Sequence, residues 1–191
     1  MRSRLLSAVV LVFGAAAASL AQSPAYGVGR TPTLEEIRSW DIAVGPAGLE
    51  LPAGRGTAVD GRQVYDTSCA RCHGATGTEG PNDVLKGGAG TLTAGEPLKT
   101  VGSYWSHATT LWDYVNRAMP FDRPMTLPAD QVYGAVAYVL FINGIIGEKD
   151  VLDRTTLPRI RMPNRDAFTP DPRPDVGQPN PAARATAGKR P

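Results

Sequence analysis

The chain has 191 residues, and its 20 lysines and arginines nearly balance its 18 aspartates and glutamates. Nothing in this balance suggests binding to a nucleic acid, so we expect no nucleic-acid partner. A chain of this length supports only a small hydrophobic core.

Residues 1–21 have the features of a secretory signal peptide. Arg2 and Arg4 form a positive n-region, and the apolar stretch 5–18 is too short and too rich in alanine for a membrane span. A small-x-small sequence at 19–21 predicts cleavage before Gln22, with an uncleaved anchor as the alternative. Cleavage leaves 18 basic and 18 acidic residues, and no later segment is apolar enough to span a bilayer.

Residues 22–54 are predicted to form an extended N-terminal arm, because they are rich in glycine and proline. One helix signal interrupts them. Thr33-Leu34-Glu35-Glu36 fits a capping box with Thr33 as N-cap, and the helix should run to about Trp40.

Residues 55–147 are predicted to form one all-α domain. Thr57-Ala58-Val59-Asp60 repeats the capping pattern and opens a helix that leads to Cys69. The run Cys69-Ala70-Arg71-Cys72-His73 follows, which is the pattern of a covalent c-type haem site. The two thiols would form thioethers with the haem vinyl groups, and His73 would be the proximal iron ligand. Covalent attachment in bacteria follows export, so motif and signal together predict one haem c in a periplasmic protein.

Two other uses of the cysteines fit less well. A redox dithiol belongs in a βαβ pattern, which the sequence lacks. A zinc site needs two more ligands, but His107 is the only other histidine and no cysteine remains.

Residues 74–102 contain many glycines and no periodicity, so we expect a loop that approaches a flat cofactor closely. A helix should begin near Thr110 and end at Pro120. A last helix should begin at Pro128 and stop at Asn143-Gly144. The apolar face of this helix comprises Val132, Val136, Val139 and Leu140.

The iron needs a sixth ligand or an open position, which separates an electron carrier from a haem enzyme or sensor. Met119 is favoured, because it follows a predicted helix and Pro120 stiffens the backbone that presents its sulfur. Met125 lies in the same loop. His107, Met162 and an open site remain as further alternatives.

The tail, residues 148–191, is predicted to be a proline-rich arm, since residues 158–191 hold eight of the seventeen prolines. Its scattered apolar residues Ile160, Met162 and Phe168 suggest contacts with a partner.

The domain resembles the class I c-type cytochromes. Gly61 and Tyr65 lie eight and four residues before the first cysteine, as in that family, and Tyr138 matches the aromatic residue of its last helix. The resemblance implies a class I cytochrome c fold with His73 and Met119 on the iron. It also implies a hydrogen bond from His73 to the Pro81 carbonyl. Tyr104 and Trp105 are predicted to bind the haem propionates, with core packing as the alternative for Trp105.

A wider resemblance is to the SoxD-type cytochrome subunit of periplasmic sulfane or sulfite dehydrogenases. It rests on the stretches 36–37, 40–42, 100–105, 117–121, 143–144, 157–158, 162–165 and 170–175. It implies an electron-transfer subunit, not itself an enzyme, beside a dehydrogenase subunit that holds a molybdenum cofactor. A small soluble cytochrome c would accept the electrons. A free carrier, a subunit of another dehydrogenase, and a haem enzyme or gas sensor are the alternatives.

Overall fold

The computed structural model describes residues 28–169. These described residues divide into two compact units, 28–41 and 42–169. The predicted signal peptide and the tail from Pro170 onward lie outside the described residues. Between residues 28 and 169, no helix has both the length and the apolar character needed to cross a membrane.

The first unit contains helix α1, Leu34–Trp40, which begins and ends as predicted. The capping box is present: the Glu36 N–H donates to Thr33 Oγ1 at 3.2 Å, and the Thr33 N–H donates to the Glu36 carboxylate at 2.8 Å. Arg30 also pairs with Glu36. No residue of this helix is buried.

The second unit is mainly helical, as predicted. Its helices are α2, Ala58–Ser68; α3, Ala70–His73; α4, Ala108–Ala118; and α5, Ala129–Ile142. Two short strands, β1 (Arg55–Gly56) and β2 (Leu152–Asp153), pair antiparallel, and a 3₁₀ turn follows at Leu157–Arg159. Helix α4 begins two residues before the predicted start and stops just before Met119.

Helices α2 and α5 cross at two glycines. A Cβ atom added to Gly61 would lie 1.8 Å from the Gly134 carbonyl oxygen, so only a glycine permits this approach. One turn further along each helix, the rings of Tyr65 and Tyr138 pack with centroids 4.9 Å apart. This crossing explains the glycine and the two aromatic residues on which the sequence resemblance rests.

Helix α5 forms the centre of the core, and residues 132–140 are all buried. It ends where predicted, with Asn143 as C-cap and Gly144 in the left-handed region at φ 68°. The Asn143 side chain accepts from the Gly87 N–H at 3.0 Å and donates to the Leu85 carbonyl at 3.0 Å. Asn143 therefore fastens the glycine-rich loop to the end of α5.

Both predicted arms are shorter than the sequence suggested. Val44 and Leu51 are buried in the core, and the Val44 N–H donates to Asp113 Oδ1 at 2.8 Å. Leu152, Leu157 and Met162 are likewise at most 1% exposed. The expectation that residues 42–54 and 148–164 lie outside the folded domain is therefore wrong.

The physical reason is that these segments bury their few apolar residues against the domain instead of forming a core of their own. Strand β2 adds backbone hydrogen bonds to β1, and the Asn164 amide donates to the Tyr104 carbonyl at 2.7 Å. Phe168, at the end of the described tail, packs edge-to-face on Tyr104.

Candidate haem site

The Cys69–His73 motif lies where one helix ends and the next begins. Cys69 is both the C-cap of α2 and the N-cap of α3. The N–H groups of Cys72 and His73 each donate to the Cys69 carbonyl at 3.0 Å, which winds the motif into a single turn. Both cysteines are half-buried free thiols. The turn brings the two sulfurs and the imidazole into one small region.

Burial, with a smaller contribution from Cys72, raises the pKa of the Cys69 thiol to about 11. Cys69 is therefore a neutral thiol at physiological pH. A thioether forms by net addition of S–H across a carbon–carbon double bond, so the protonated side chain holds both atoms that this addition requires.

The His73 ring is oriented by a backbone carbonyl. Its Nδ1 lies 2.7 Å from the Asp83 oxygen, so Nδ1 carries the proton and donates. The lone pair is then on Nε2, which is the nitrogen that can bind a metal. A fixed acceptor behind a ligand histidine is the usual arrangement at metal sites.

The acceptor is not the predicted Pro81 carbonyl, and the path of the loop explains why. The chain passes so close beneath α3 at Gly80 that an added Cβ would lie 2.1 Å from the Cys72 carbonyl oxygen. Next, the Asn82 N–H donates to that same carbonyl at 3.0 Å. The loop turns only after this contact, and so presents Asp83 to the imidazole.

Met119 is the C-cap of α4, half-buried, and it begins the loop that leads to α5. Arg71, between the two cysteines, lies 3.7 Å from Asp122 in this loop. The structure thus places the loop that carries Met119 beside the attachment motif. The peptide bond between Met119 and Pro120 is cis.

The alternative ligands have different surroundings. Met125 is 63% exposed, and Met162 is 1% exposed within the core. His107 Nδ1 hydrogen-bonds the Ser106 hydroxyl at 2.8 Å, and burial, aided by the charge of Arg165, lowers the pKa of His107. The choice of Met119 as sixth ligand stays a prediction.

The two predicted propionate ligands lie side by side but face different neighbours. Tyr104 is 38% exposed, with Lys99 over one face of its ring at 5.2 Å from the centroid. Trp105 is half-buried and packs edge-to-face on Tyr114, with centroids 5.7 Å apart. Their role at the haem also stays a prediction.

Trp112 is a residue that the sequence analysis did not select. Its indole is 2% exposed, and its Nε1–H has no hydrogen-bond partner. The sequence did indicate where Trp112 lies relative to Met119. Trp112 precedes Met119 by seven residues, or two helical turns, which predicts that both lie on the same side of the helix.

These side chains fit a c-type haem. Two free thiols, an imidazole with Nε2 available and a thioether in the neighbouring loop are the donors that such a group requires. Cys69 and Cys72 would hold the porphyrin, while His73 and Met119 would bind its iron. When bound, haem c supplies reversible one-electron chemistry.

Fold and site together define a class I c-type cytochrome. Comparison with protein families agrees, since residues 56–139 match the family described as cytochrome C oxidase, cbb3-type, subunit III. Among curated proteins, none matches the chain.

A more specific likeness comes from a solved structure, the sulfane dehydrogenase SoxCD from Paracoccus pantotrophus. The match has 37% sequence identity and a TM-score of 0.70, and it covers 87% of this chain and 80% of the matched chain. This chain belongs to the family of SoxD-type c-type cytochromes.

Proposed function

We propose that this protein is the electron-transfer subunit of a periplasmic, molybdenum-dependent dehydrogenase of sulfur compounds. It carries one covalent haem c, accepts electrons singly from the molybdenum-bearing subunit, and passes them to a small soluble cytochrome c. The observation that carries the proposal is the 37% identity to a chain of SoxCD. That likeness covers 87% of this chain, whereas the generic cytochrome match is confined to residues 56–139.

The loop after α4 provides a surface that suits electron exchange with a protein. Phe121 is 83% exposed and Met125 is 63% exposed, although both are large and apolar. Aromatic residues and methionine are enriched in protein interfaces, where they act as anchors. Arg71 and Asp122 form an exposed ion pair beside them, which supplies the polar rim of a small transient interface.

The position of this surface supports its role. Phe121 follows the predicted iron ligand Met119 by two residues, and Arg71 lies between the two haem-binding cysteines. A partner that contacts Phe121 is therefore held close to the haem-binding motif. A redox protein benefits from such docking because electron transfer requires a short distance between cofactors.

Purification of the full chain from the periplasm of its native host tests the proposal. We expect a molybdenum-containing subunit to co-purify, and we expect a sulfane-sulfur or sulfite substrate to reduce the haem of this complex. A molybdenum-free cytochrome that neither substrate reduces, but that exchanges electrons with other redox proteins, would indicate a free carrier or a subunit of another dehydrogenase.

A Phe121→Ser variant tests the docking surface within that complex. Loss of an aromatic anchor costs about 2 kcal/mol of binding free energy, so substrate-driven haem reduction at limiting subunit concentration should slow by at least about tenfold. Leu49→Ser is the matched control, because Leu49 is 85% exposed but lies in another segment. Equal rates for the two variants would exclude Phe121 from the interface.

A further inference from the structure

Helix α1 presents large apolar side chains that the first unit does not bury. Leu34 is 72% exposed, Ile37 is 45% exposed and Trp40 is 86% exposed. They recur every three residues, so at 100° per residue they lie within about 120° of one another around the helix. We call these three side chains the apolar face of α1. Contiguous exposed apolar surface of this kind marks a site of interaction with another molecule.

Helix α1 is stabilised by local hydrogen bonds rather than by packing. In the part of the chain that the structure describes, no residue of α1 is buried. A helix of seven residues is marginal by itself, because most helical stability in proteins comes from packing of an apolar face. The capping box at Thr33 offsets this deficit only in part. Contact with another molecule would supply the packing that α1 lacks.

The chain before α1 gives this face a defined shape. The Arg30 guanidinium donates to the Glu36 carboxylate at 2.8 Å, which connects the preceding segment to the first turn of the helix. Arg30 and Pro32 line a shallow groove together with Ile37 and Trp40. An apolar centre with paired charges at its edge is the usual composition of a protein interface.

The charges around α1 disfavour a membrane surface as the occupant of this groove. Helices that lie on membranes carry several lysines and arginines on their polar face. Residues 28–41 contain two arginines against three acidic residues, and Arg38 is the one basic residue within α1. A protein surface therefore fits this face better than a lipid surface.

The extent of the likeness to SoxCD favours one protein as the occupant. The match covers 87% of the 191 residues, which is more than the 150 residues from Ile42 to Pro191, so it includes residues before Ile42. The match to the cytochrome family begins only at residue 56. Part of the first unit is thus shared with a chain of a dehydrogenase, and it lies outside the region that matches the cytochrome family.

We propose that the apolar face of α1 binds the molybdenum-bearing subunit and tethers the cytochrome to it. This inference rests on the proposed function, and it adds a second contact to the surface around Phe121. That surface is small and by itself suits a transient encounter. With two contacts on one chain the second binding event becomes intramolecular, so the tether raises the effective concentration of the Phe121 surface at its partner.

A Trp40→Ser variant of the full haem-loaded protein tests the tether when it is mixed with the molybdenum-bearing subunit from the native host. We expect the dissociation constant to rise at least about tenfold, because an aromatic anchor is lost. The cytochrome concentration that gives half-maximal haem reduction by a sulfane-sulfur substrate should rise by the same factor. The maximal rate at saturating cytochrome should stay unchanged, since the haem site and Phe121 are intact.

Two control variants separate the apolar face from exposed residues in general. Leu49→Ser removes an exposed apolar side chain of the other unit, and Glu35→Gln changes the opposite side of α1 from Ile37. Both should bind like the wild type. An unchanged dissociation constant for Trp40→Ser would overturn the tether and leave the proposed function in place. A wild-type protein that receives no electrons from a molybdenum-bearing subunit would refute both.

Three further outcomes would assign the apolar face to another occupant and so overturn the proposal. A lower unfolding midpoint for isolated Trp40→Ser would show that the face packs on its own domain. A homodimer that Trp40→Ser dissociates would assign it to a second copy of the chain. Binding to phosphatidylglycerol vesicles that Trp40→Ser loses would assign it to a membrane.

Hydrogen exchange of the wild-type protein tests the same contact without a variant. The backbone amides of α1 should exchange more slowly in the complex with the molybdenum-bearing subunit than in the free cytochrome, because a packed helix opens less often. Equal exchange rates in the two states would contradict a contact at α1.

Discussion

At the scale of single residues, the chemistry of the site depends on what each polar atom contacts. The Asp83 carbonyl holds His73 in the tautomer that leaves Nε2 for a metal. Burial raises the pKa of the Cys69 thiol. Trp112 retains an unused donor. The acceptor behind His73 lies outside the five-residue motif, so the motif alone does not set the tautomer of its histidine.

Replacement of Met119 by alanine should remove the methionine–iron charge-transfer band from the ferric spectrum. The thioether is the only donor in that side chain, so its loss opens the sixth position to water, imidazole or cyanide. Absorption spectroscopy with an external ligand titration measures both effects. Met125→Ala is the control, and loss of the band in that variant instead would transfer the ligand assignment to Met125.

At the scale of elements, the Glu79 carboxylate holds the beginning of the loop that follows the motif. Glu79 accepts hydrogen bonds from the N–H and hydroxyl groups of both Thr76 and Thr78, at 2.6–3.1 Å. These bonds, led by that of the Thr76 hydroxyl, lower the pKa of Glu79 to about 2 from its ordinary 4.5. The ionised Glu79 carboxylate and its hydrogen bonds to Thr76 and Thr78 form a clamp. This clamp fixes the beginning of the loop that positions Asp83 behind the imidazole.

Stability should therefore fall in acid partly through Glu79. Because its pKa is lower in the folded state, the clamp stabilises the fold above about pH 4.5, and this contribution disappears as the pH falls toward 2. Glu79→Gln should show a weaker dependence of the unfolding free energy on pH in this window, measured by denaturant titration. Glu96→Gln, an exposed position in the same loop, should retain the full dependence; if both variants match the wild type, the clamp contributes nothing.

The crossing of α2 and α5 leaves no room for a side chain at Gly61. In a Gly61→Ala variant the new methyl group would overlap the Gly134 carbonyl, and the helices would have to separate. We expect the unfolding free energy to fall by about 3 kcal/mol, the upper part of the usual range for overpacking. Thermal and denaturant unfolding measure this. Gly95→Ala serves as control, since a Cβ there meets no atom within 4 Å; similar losses in both variants would argue against a tight crossing.

At the scale of the whole molecule, the domain needs segments that are remote in sequence. Residues 152–164 supply three fully buried side chains, and the pairing of β2 with β1 connects residues almost a hundred positions apart. These segments pack against α5 and against α4, which carries Trp112 and ends at Met119. The part of the tail that the structure describes is therefore part of the domain.

A chain that ends at Gly147 should fail to reach the native fold. It lacks Leu152, Leu157 and Met162, and each buried side chain of this kind contributes about 2–5 kcal/mol, against a typical total stability of about 5–15 kcal/mol. Circular dichroism and the yield of haem-loaded protein report the loss. A chain that ends at Thr169 keeps all three residues and should reach the native fold. An unchanged unfolding midpoint for the chain that ends at Gly147 would instead support the prediction that residues 148–169 are a free arm.

The sequence alone determined the features that depend on neighbours within one or two turns. The capping boxes at Thr33 and Thr57 and the stop at Gly144 follow from hydrogen bonds and backbone angles that span a few residues. The covalent chemistry of the motif is equally local, because its five residues carry the required side chains. The crossing of α2 and α5 was predictable through family resemblance, as glycine alone permits it.

The tertiary structure decided which distant groups meet. The Asp83 carbonyl replaced that of Pro81 behind His73 because the loop passes beneath α3 before it turns. The tail joined the core because its few apolar side chains had no other place to be buried. The ion pair of Arg71 with Asp122 and the unpaired indole of Trp112 likewise depend on contacts across the fold. Local patterns do not specify such contacts, since their energy comes from packing between segments that are far apart in the chain.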